Sequence, residues 1–142
     1  MTKTATFIGH KDSFGINRPK IKALITELIE KYGFTEFLCG GMGDFDELCA
    51  RAVWELKGTF PHVKNLLVIP YLSFSIQNPS YYDEIIYPAE LEGKFFKRSI
   101  LLRNQYLINH AQAAVCHIDH PWGGAYTTYL YAKKRGLQLF EI

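Results

Sequence analysis

Three glycines and three acidic residues stand together in residues 38–52, LCGGMGDFDELCARA. The glycines are Gly40, Gly41 and Gly43. They lie between an apolar run and a helix-like pattern, where backbone N–H groups can point at a phosphate and Asp46 can accept hydrogen bonds from a sugar. A second interpretation stays open, in which Asp44 caps the helix and Glu47 completes a capping box.

Two further stretches carry groups that bind anions. Gly9 ends an apolar segment and lets the chain turn sharply, so that His10 and Lys11 can face a negatively charged ligand; a plain loop explains them equally well. Arg103 stands among apolar residues in a helix-like pattern, next to Asn104. Its head group must either reach solvent along its stem or find an acid or a ligand phosphate.

A second glycine pair begins the helix-like pattern of residues 124–134. Gly123 and Gly124 precede Thr127, in a first turn whose N–H groups are unpaired and favour an anion. Close packing and a turn explain these glycines about equally well. Aromatic residues that can stack on a base are Phe14, Tyr71 and Trp122, with Trp122 the first choice because it adjoins the glycine pair.

Strand-like and helix-like patterns alternate along the chain. Strands are predicted at residues 4–9, 34–40, 65–71, 113–119 and 137–142. Helices are predicted at residues 17–32, 44–57, 99–110 and 124–134, with an irregular helix around 82–92. Several strands are apolar on both faces, which predicts an α/β, Rossmann-like three-layer sandwich: a mostly parallel sheet of about five strands with helices on both faces. The glycine-rich and basic stretches then meet at the carboxyl ends of the strands, where such sheets bind ligands.

Composition limits the classes of function. The 142 residues are 48% hydrophobic and 21% charged, which predicts one globular domain over residues 1–142. The net charge of +2 argues against nucleic acid and membrane surfaces as partners. Without a membrane-length apolar run or a secretory segment, we expect a cytoplasmic protein. Cys39, Cys49 and Cys116 fit neither a zinc pattern nor a disulfide framework, so we expect no metal site and reduced thiols, with Cys39 and Cys116 buried in apolar runs.

The order of these motifs resembles the SLOG superfamily of Rossmann-like domains, which includes LOG phosphoribohydrolases, DprA proteins and YpsA/YspA-type proteins. The last group is most similar, since its members carry a T-G-H-R-like start and a G-x-x-x-G-x-D element, compared with FIGHK and GGMGDFD here. The resemblance covers nearly the whole chain and implies binding of a nucleotide or nucleotide-derived molecule. It implies that Gly9 and His10 line one side of the site, that Gly41, Gly43 and Asp46 line the middle, and that Arg103, Asn104, Gly123, Gly124 and Thr127 bind phosphate or ribose.

One departure from the superfamily bears on catalysis. In the P-G-G-x-G-T-x-x-E motif of LOG enzymes, the glutamate acts in cleaving the N-glycosidic bond. Leu130 stands at that position here and Tyr126 replaces a glycine, although Arg103 matches the LOG arginine. A leucine cannot transfer a proton or stabilise an oxocarbenium ion, so the resemblance favours binding over hydrolysis.

Three hypotheses follow. The first is a binding or sensing domain for a nucleotide derivative, with no further cofactor. The second is a LOG-like nucleoside-monophosphate phosphoribohydrolase that takes its carboxylate from Asp44, Asp46 or Glu47. The third is an oligomeric structural or partner-binding module that uses the aromatic residues of segment 70–96. We also expect the chain to form a homo-oligomer.

Overall fold

Six parallel strands form one sheet in the computed structural model, which describes residues 2–13 and 15–142. The strands are β1 (Thr4–Gly9), β2 (Glu36–Cys39), β3 (Lys64–Val68), β4 (Glu84–Ile86), β5 (Ala113–His117) and β6 (Gln138–Glu141). Their order across the sheet is β4-β3-β2-β1-β5-β6, and every neighbouring pair is parallel. The predicted α/β, Rossmann-like class is therefore confirmed. The stacking candidate Phe14 lies outside the described residues.

Four helices cover the two faces of the sheet within the described part of the chain. They are α1 (Arg18–Glu30), α2 (Asp44–Leu56), α3 (Phe96–Asn109) and α4 (Gly124–Lys134). Alternate strand residues explain this arrangement, because successive side chains point to opposite faces. Phe7 and Phe37 pack with α1 and α2, whereas Ile8 packs with α3 and α4. The sheet is thus a buried layer between two helical layers.

Local signals in the sequence account for α1. The Asn17 side chain accepts a hydrogen bond from the Lys20 N–H at 3.0 Å, and Pro19 stands in the first turn, where its missing N–H costs nothing. The apolar residues Ile21, Ile25 and Leu28 recur at helical spacing and are buried. The predicted cap and apolar face of this helix are confirmed.

The predicted irregular helix at residues 82–92 is wrong. That segment contains the short edge strand β4, flanked by single 3₁₀ turns at Pro79–Tyr81 and Ala89–Leu91. Pairing with β3 aligns it: the Asp83 carboxylate accepts from the Asn65 N–H at 2.8 Å, and the Ile69 N–H donates to Ile86 at 2.9 Å. A three-residue strand with two exposed members has no period to recognise, so the sheet has six strands rather than about five.

The three cysteines are free thiols buried in the core, as predicted for Cys39 and Cys116. Burial raises the pKa of Cys39 and Cys49 well above the usual value, so these thiols stay protonated. In the described residues, no helix combines the length and apolar character required to cross a membrane.

Candidate functional site

A cavity of about 390 Å³ opens at the carboxyl edge of the sheet. Its wall includes residues 7–9 at the end of β1 and residues 122–125 from the segment that follows β5. These strands are neighbours, but the chain reaches β5 only after building β2, β3 and β4 on the other side of β1. The cavity therefore lies where the strand order reverses, the usual ligand position in such sheets.

Most of the site residues predicted from the sequence meet in this cavity. Those that line it are Gly9, His10, Lys11, Asp46, Arg103, Asn104, Trp122, Gly123 and Gly124. Those that do not line it are Gly40, Gly41, Gly43 and Thr127. The wall also contains residues that were not predicted from the sequence to belong to the site, namely Phe7, Ile8, Asp12, Met42, Ile100, Leu107, His120 and Ala125.

Arg103 is the largest fully buried side chain at the site, with 1% of its surface exposed. Its Nη1 donates to the carbonyl oxygens of Gly40 at 2.7 Å and Val68 at 2.9 Å, and its Nε donates to the Asn104 side chain at 3.0 Å. The guanidinium thus joins the chain after β2 to the end of β3. Nη2 makes a long contact with the Met42 sulfur at 3.9 Å, and both residues line the cavity.

Asp46 is the half-buried carboxylate of the cavity wall, and Asp12 is an exposed one. It accepts a hydrogen bond from the Met42 N–H at 3.2 Å. Burial raises its pKa from 3.8 to about 6, although the positive charge of Arg103 and the Met42 hydrogen bond act in the opposite direction. Above that pH it is an acceptor that suits sugar hydroxyl groups and repels phosphate.

The glycines of residues 40–43 permit close packing between loops. Gly43 has a φ of 96°, and a Cβ there would lie 2.6 Å from the Lys11 Cα. A Cβ at Gly40 would approach the Asp46 carboxylate to 3.0 Å. Gly43 is the N-cap of α2 and Asp44 is the first helical residue, so the predicted cap at Asp44 is wrong. The Asp44 N–H instead donates to the Lys11 carbonyl at 3.0 Å, which joins the two loops.

The two glycine-headed helices differ in their capacity to bind an anion. The first turn of α2 contains Asp44, Asp46 and Glu47, so its N-terminus already faces negative charge. The first turn of α4 contains no acidic residue, and its N-cap, Gly123, supplies no capping side chain. Its first N–H groups have no helix carbonyl within reach. An anion is therefore favoured at α4 and disfavoured at α2.

Three stacked rings form the rim of the cavity. The Trp122 ring lies 3.9 Å from the His120 ring, which lies 3.6 Å from the His10 ring. Trp122 is 64% exposed, so a large aromatic face is open to a ligand. Burial lowers the pKa of His10, the nearby His120 lowers it further, and Asp119 acts in the opposite direction. Tyr71, the other described stacking candidate, contacts Phe74 and Phe96 and does not line the cavity.

The sequence matches no protein-family model. It is 31% identical over 147 residues to the uncharacterized SPbeta prophage-derived protein YoqJ of Bacillus subtilis (strain 168), covering 88% of this chain and 86% of that protein. This chain belongs to the YoqJ family. This family assignment rests on a match over most of both chains. It does not by itself indicate an activity.

Solved structures show where this YoqJ family member stands among known folds. DNA processing protein A (DprA) of Streptococcus pneumoniae matches with a TM-score of 0.71 and 13% identity, over 99% of this chain and 50% of that one. DprA of Helicobacter pylori matches with a TM-score of 0.68 and 18% identity, over 98% of this chain and 64% of that one. The molybdenum cofactor carrier protein of Chlamydomonas reinhardtii matches with a TM-score of 0.59 and 13% identity, over 99% of this chain and 76% of that one. The predicted SLOG resemblance is confirmed at the level of the fold, and the chain spans about half to two thirds of the DprA chains.

The exclusion of nucleic acid as a partner is wrong. The Helicobacter pylori DprA, which shares this fold, is described by its single-stranded DNA binding mode. The exclusion relied on the net charge of +2, which hides local clustering. Residues 94–98, Lys-Phe-Phe-Lys-Arg, are all exposed where α3 begins, and this combination of basic and aromatic side chains was not recognised in the sequence.

Leu130, at the position of the LOG glutamate, is 47% exposed and does not line the cavity. Asp46 is the acidic residue of residues 44–47 that does. The hydrolase hypothesis and the expected homo-oligomer stay predictions.

Proposed function

We propose that this chain binds a phosphorylated nucleotide unit in the cavity at the carboxyl edge of the sheet. The observation that carries the proposal is the N-terminus of α4, which is uncapped by side chains, free of acidic residues in its first turn, and part of the cavity wall through Gly123 and Gly124. A phosphate there receives unpaired N–H groups and the positive end of the helix dipole. Nη2 of Arg103 and the Lys11 ammonium add positive charge to the same cavity.

The remaining groups suit the other parts of a nucleotide. The exposed face of Trp122 offers a stacking surface for a base, which contributes about 1–3 kcal/mol per base in other systems. Asp46, which also lines the cavity, offers acceptors for ribose hydroxyl groups. The cavity volume of about 390 Å³ lies within the range of small-molecule sites, roughly 300–1,000 Å³.

Calorimetry with the four common nucleoside 5′-monophosphates and the matching nucleosides tests this proposal. We expect the monophosphates to bind more tightly than the nucleosides, because the phosphate supplies the contact with α4. Gly124→Asp places a carboxylate in open space at this N-terminus, and Gly124→Asn is its uncharged control of the same shape. At an effective dielectric constant of about 20, like charges several Å apart repel by about 2–4 kcal/mol. We therefore expect Gly124→Asp to weaken the affinity for monophosphates at least about tenfold.

Equal loss of affinity in the Gly124→Asp and Gly124→Asn variants would contradict the phosphate assignment, as would equal affinity for monophosphates and nucleosides. The same mixtures, monitored for release of free base, test the hydrolase hypothesis. No release by a protein that binds would rule that hypothesis out for those substrates.

A second candidate function is the binding of single-stranded DNA, in which the nucleotide unit belongs to a strand. It is favoured by the exposed cluster of residues 94–98. Phe95 is 84% exposed and Phe96 is 57% exposed, and Lys94, Lys97 and Arg98 surround them. Alternating basic and aromatic groups suit a single strand, since phosphates contact the cations and bases stack on the rings. The single-stranded DNA binding described for the Helicobacter pylori DprA adds support.

Fluorescence anisotropy with a labelled oligothymidylate distinguishes the two sources of the nucleotide. If the DNA strand is the ligand, we expect its affinity to depend strongly on salt concentration. We also expect Phe95→Ala to weaken the affinity about tenfold, because one stacked base is lost. Leu72→Ala, another exposed apolar residue, is the control. Binding of monophosphates without oligothymidylate binding would assign the site to free nucleotides.

A further inference from the structure

A cluster of two histidines and one aspartate lies at the ends of β1 and β5, beside the cavity. Nε2 of His10 and Nε2 of His120 each lie 3.5 Å from Oδ1 of Asp119. One candidate ligand atom from each of the three residues lies within 4.8 Å of the others. Ligands bound to a zinc ion at about 2.0–2.1 Å stand roughly 3.3 Å apart in a tetrahedral site, so the two 3.5 Å separations are close to those of coordination.

The cluster is unsatisfied as a set of hydrogen-bonding groups. His10 is only 5% exposed, yet its buried Nε2 has no hydrogen-bond partner among the described residues. The 3.5 Å separation from Asp119 is too long for a good hydrogen bond. The buried Nδ1 of His120 likewise has no partner among them. On His120 it is the other ring nitrogen, Nε2, that lies near Asp119. Buried polar atoms are nearly always paired, so the unpaired Nε2 of His10, 3.5 Å from the Asp119 carboxylate, indicates a missing ligand.

We propose that His10, Asp119 and His120 bind a divalent transition-metal ion of the zinc type. Imidazole nitrogens and one carboxylate are a donor set that zinc accepts, and three protein ligands leave a coordination position open. His10 and His120 also line the cavity, so the site lies beside it. The ion would bring positive charge to a region that contains Asp12 and Asp46, and an oxygen of water or phosphate suits its open position. Metal binding does not depend on the proposed nucleotide function.

Coordination requires a change in the ring stack. The rings of His10 and His120 are nearly parallel, 3.6 Å apart and 25° from coplanar, whereas a bound metal lies in the plane of each imidazole. One ring must therefore turn, and His120 is the more exposed of the two. Trp122 stacks on His120 at 3.9 Å, so rotation of His120 alters the surroundings of the Trp122 indole.

Titration of the purified chain with Zn²⁺, and in parallel with Co²⁺, tests this site by calorimetry and by tryptophan fluorescence. The chain has two tryptophans, and Trp54→Phe leaves Trp122 as the reporter. We expect one ion per chain and a change in Trp122 fluorescence that follows the calorimetric curve. Co²⁺ is expected to give visible absorption bands of low-coordinate nitrogen and oxygen ligation.

Substitutions of the ligands distinguish this site from adventitious binding. Asp119→Asn keeps the shape of a partly exposed side chain and should leave the fold intact, and His120→Asn removes one imidazole. We expect each to weaken Zn²⁺ at least about tenfold. His110→Asn is the control, since His110 is exposed and stacks on Tyr106, away from the cluster. Absence of one-to-one binding, or equal affinity in all variants, would overturn the proposal.

Discussion

Arg103 is the side chain whose removal should cost this protein the most stability. Its guanidinium donates hydrogen bonds to the backbone carbonyls of Gly40 at 2.7 Å and Val68 at 2.9 Å. Only 1% of the surface of Arg103 is exposed. Arg103→Ala leaves both carbonyls without their donor and leaves Asp46 without the cation that opposes its burial. The carboxyl ends of β2 and β3 lose their connection at the same time.

The magnitude follows from these contacts. An orphaned buried acceptor costs about 1–3 kcal/mol, and Arg103→Ala orphans two of them. Loss of the nearby positive charge also makes burial of the Asp46 carboxylate less favourable. The two contributions overlap, because the same guanidinium makes both, so we expect a loss of about 3–5 kcal/mol in the free energy of unfolding. Arg103→Lys should recover only part of it, since a single ammonium cannot reproduce the planar fork that reaches both carbonyls and Asn104.

Urea denaturation followed by circular dichroism measures the effect. Arg51→Ala is the matched control, because Arg51 is exposed and its ion pair with Glu55 lies on its own helix, an interaction of about 0.3–0.5 kcal/mol. A loss below about 1 kcal/mol in Arg103→Ala would refute the reasoning that Arg103 is structural. A large loss would also mean that reduced ligand binding by this variant is not evidence for a phosphate contact.

Three further predictions concern the same site. Asp46→Asn should stabilise the protein above pH 6 by about 3 kcal/mol, because a carboxyl group whose pKa is raised on folding favours the folded state below pH 3.8 and loses that contribution as pH rises through about 6. Urea melts across this range should show the two proteins converging in acid. Gly9→Ala should lower stability by about 1–3 kcal/mol, since its Cβ would lie 2.3 Å from the Phe45 ring, whereas Gly124→Ala, with open space around it, should leave the melting temperature nearly unchanged. Trp122→Ala should weaken nucleotide binding about tenfold with little loss of stability, because its ring is 64% exposed; unchanged affinity in calorimetry would exclude it as the stacking surface.

The sheet and the edge that carries the cavity could be predicted because they depend on patterns that sequence displays. Strands apolar on both faces and the alternation with helices indicate a parallel sheet, and parallel strands must share an edge for their carboxyl ends. The strand β4 was missed for a physical reason. It has three residues, it lies at the edge of the sheet, and Glu84 and Ile85 are exposed, so its alignment depends on Asp83 and other contacts made after folding.

The role of Arg103 illustrates what sequence patterns omit. Its position among apolar residues indicated burial with a partner, and the alternatives considered were solvent, an acid or a ligand phosphate. Its closest partners are backbone carbonyls of Gly40 and Val68, which every residue carries and which no pattern distinguishes. The glycines have a related explanation, because Gly43 is required by the approach of Lys11, a residue distant in sequence.

The cluster of His10, Asp119 and His120 could not be read from spacing. Its members come from segments more than a hundred residues apart, and only the pairing of β1 with β5 brings them together. The prediction of no metal site relied on the spacing of the cysteines. The available signal is that histidines follow two neighbouring strands, since residues at the carboxyl ends of adjacent parallel strands meet.

The most direct test of the central claim is a two-dimensional ¹H–¹⁵N NMR titration of the labelled protein with a nucleoside 5′-monophosphate and with its nucleoside. We predict that the monophosphate shifts the amide signals of Gly123, Gly124 and Ala125 at the start of α4 far more than the nucleoside does. The amides of Gly43 and Asp44 at the start of α2 should respond less, because acidic residues occupy that first turn. Shifts that avoid the start of α4, or that do not depend on the phosphate, would contradict the claim.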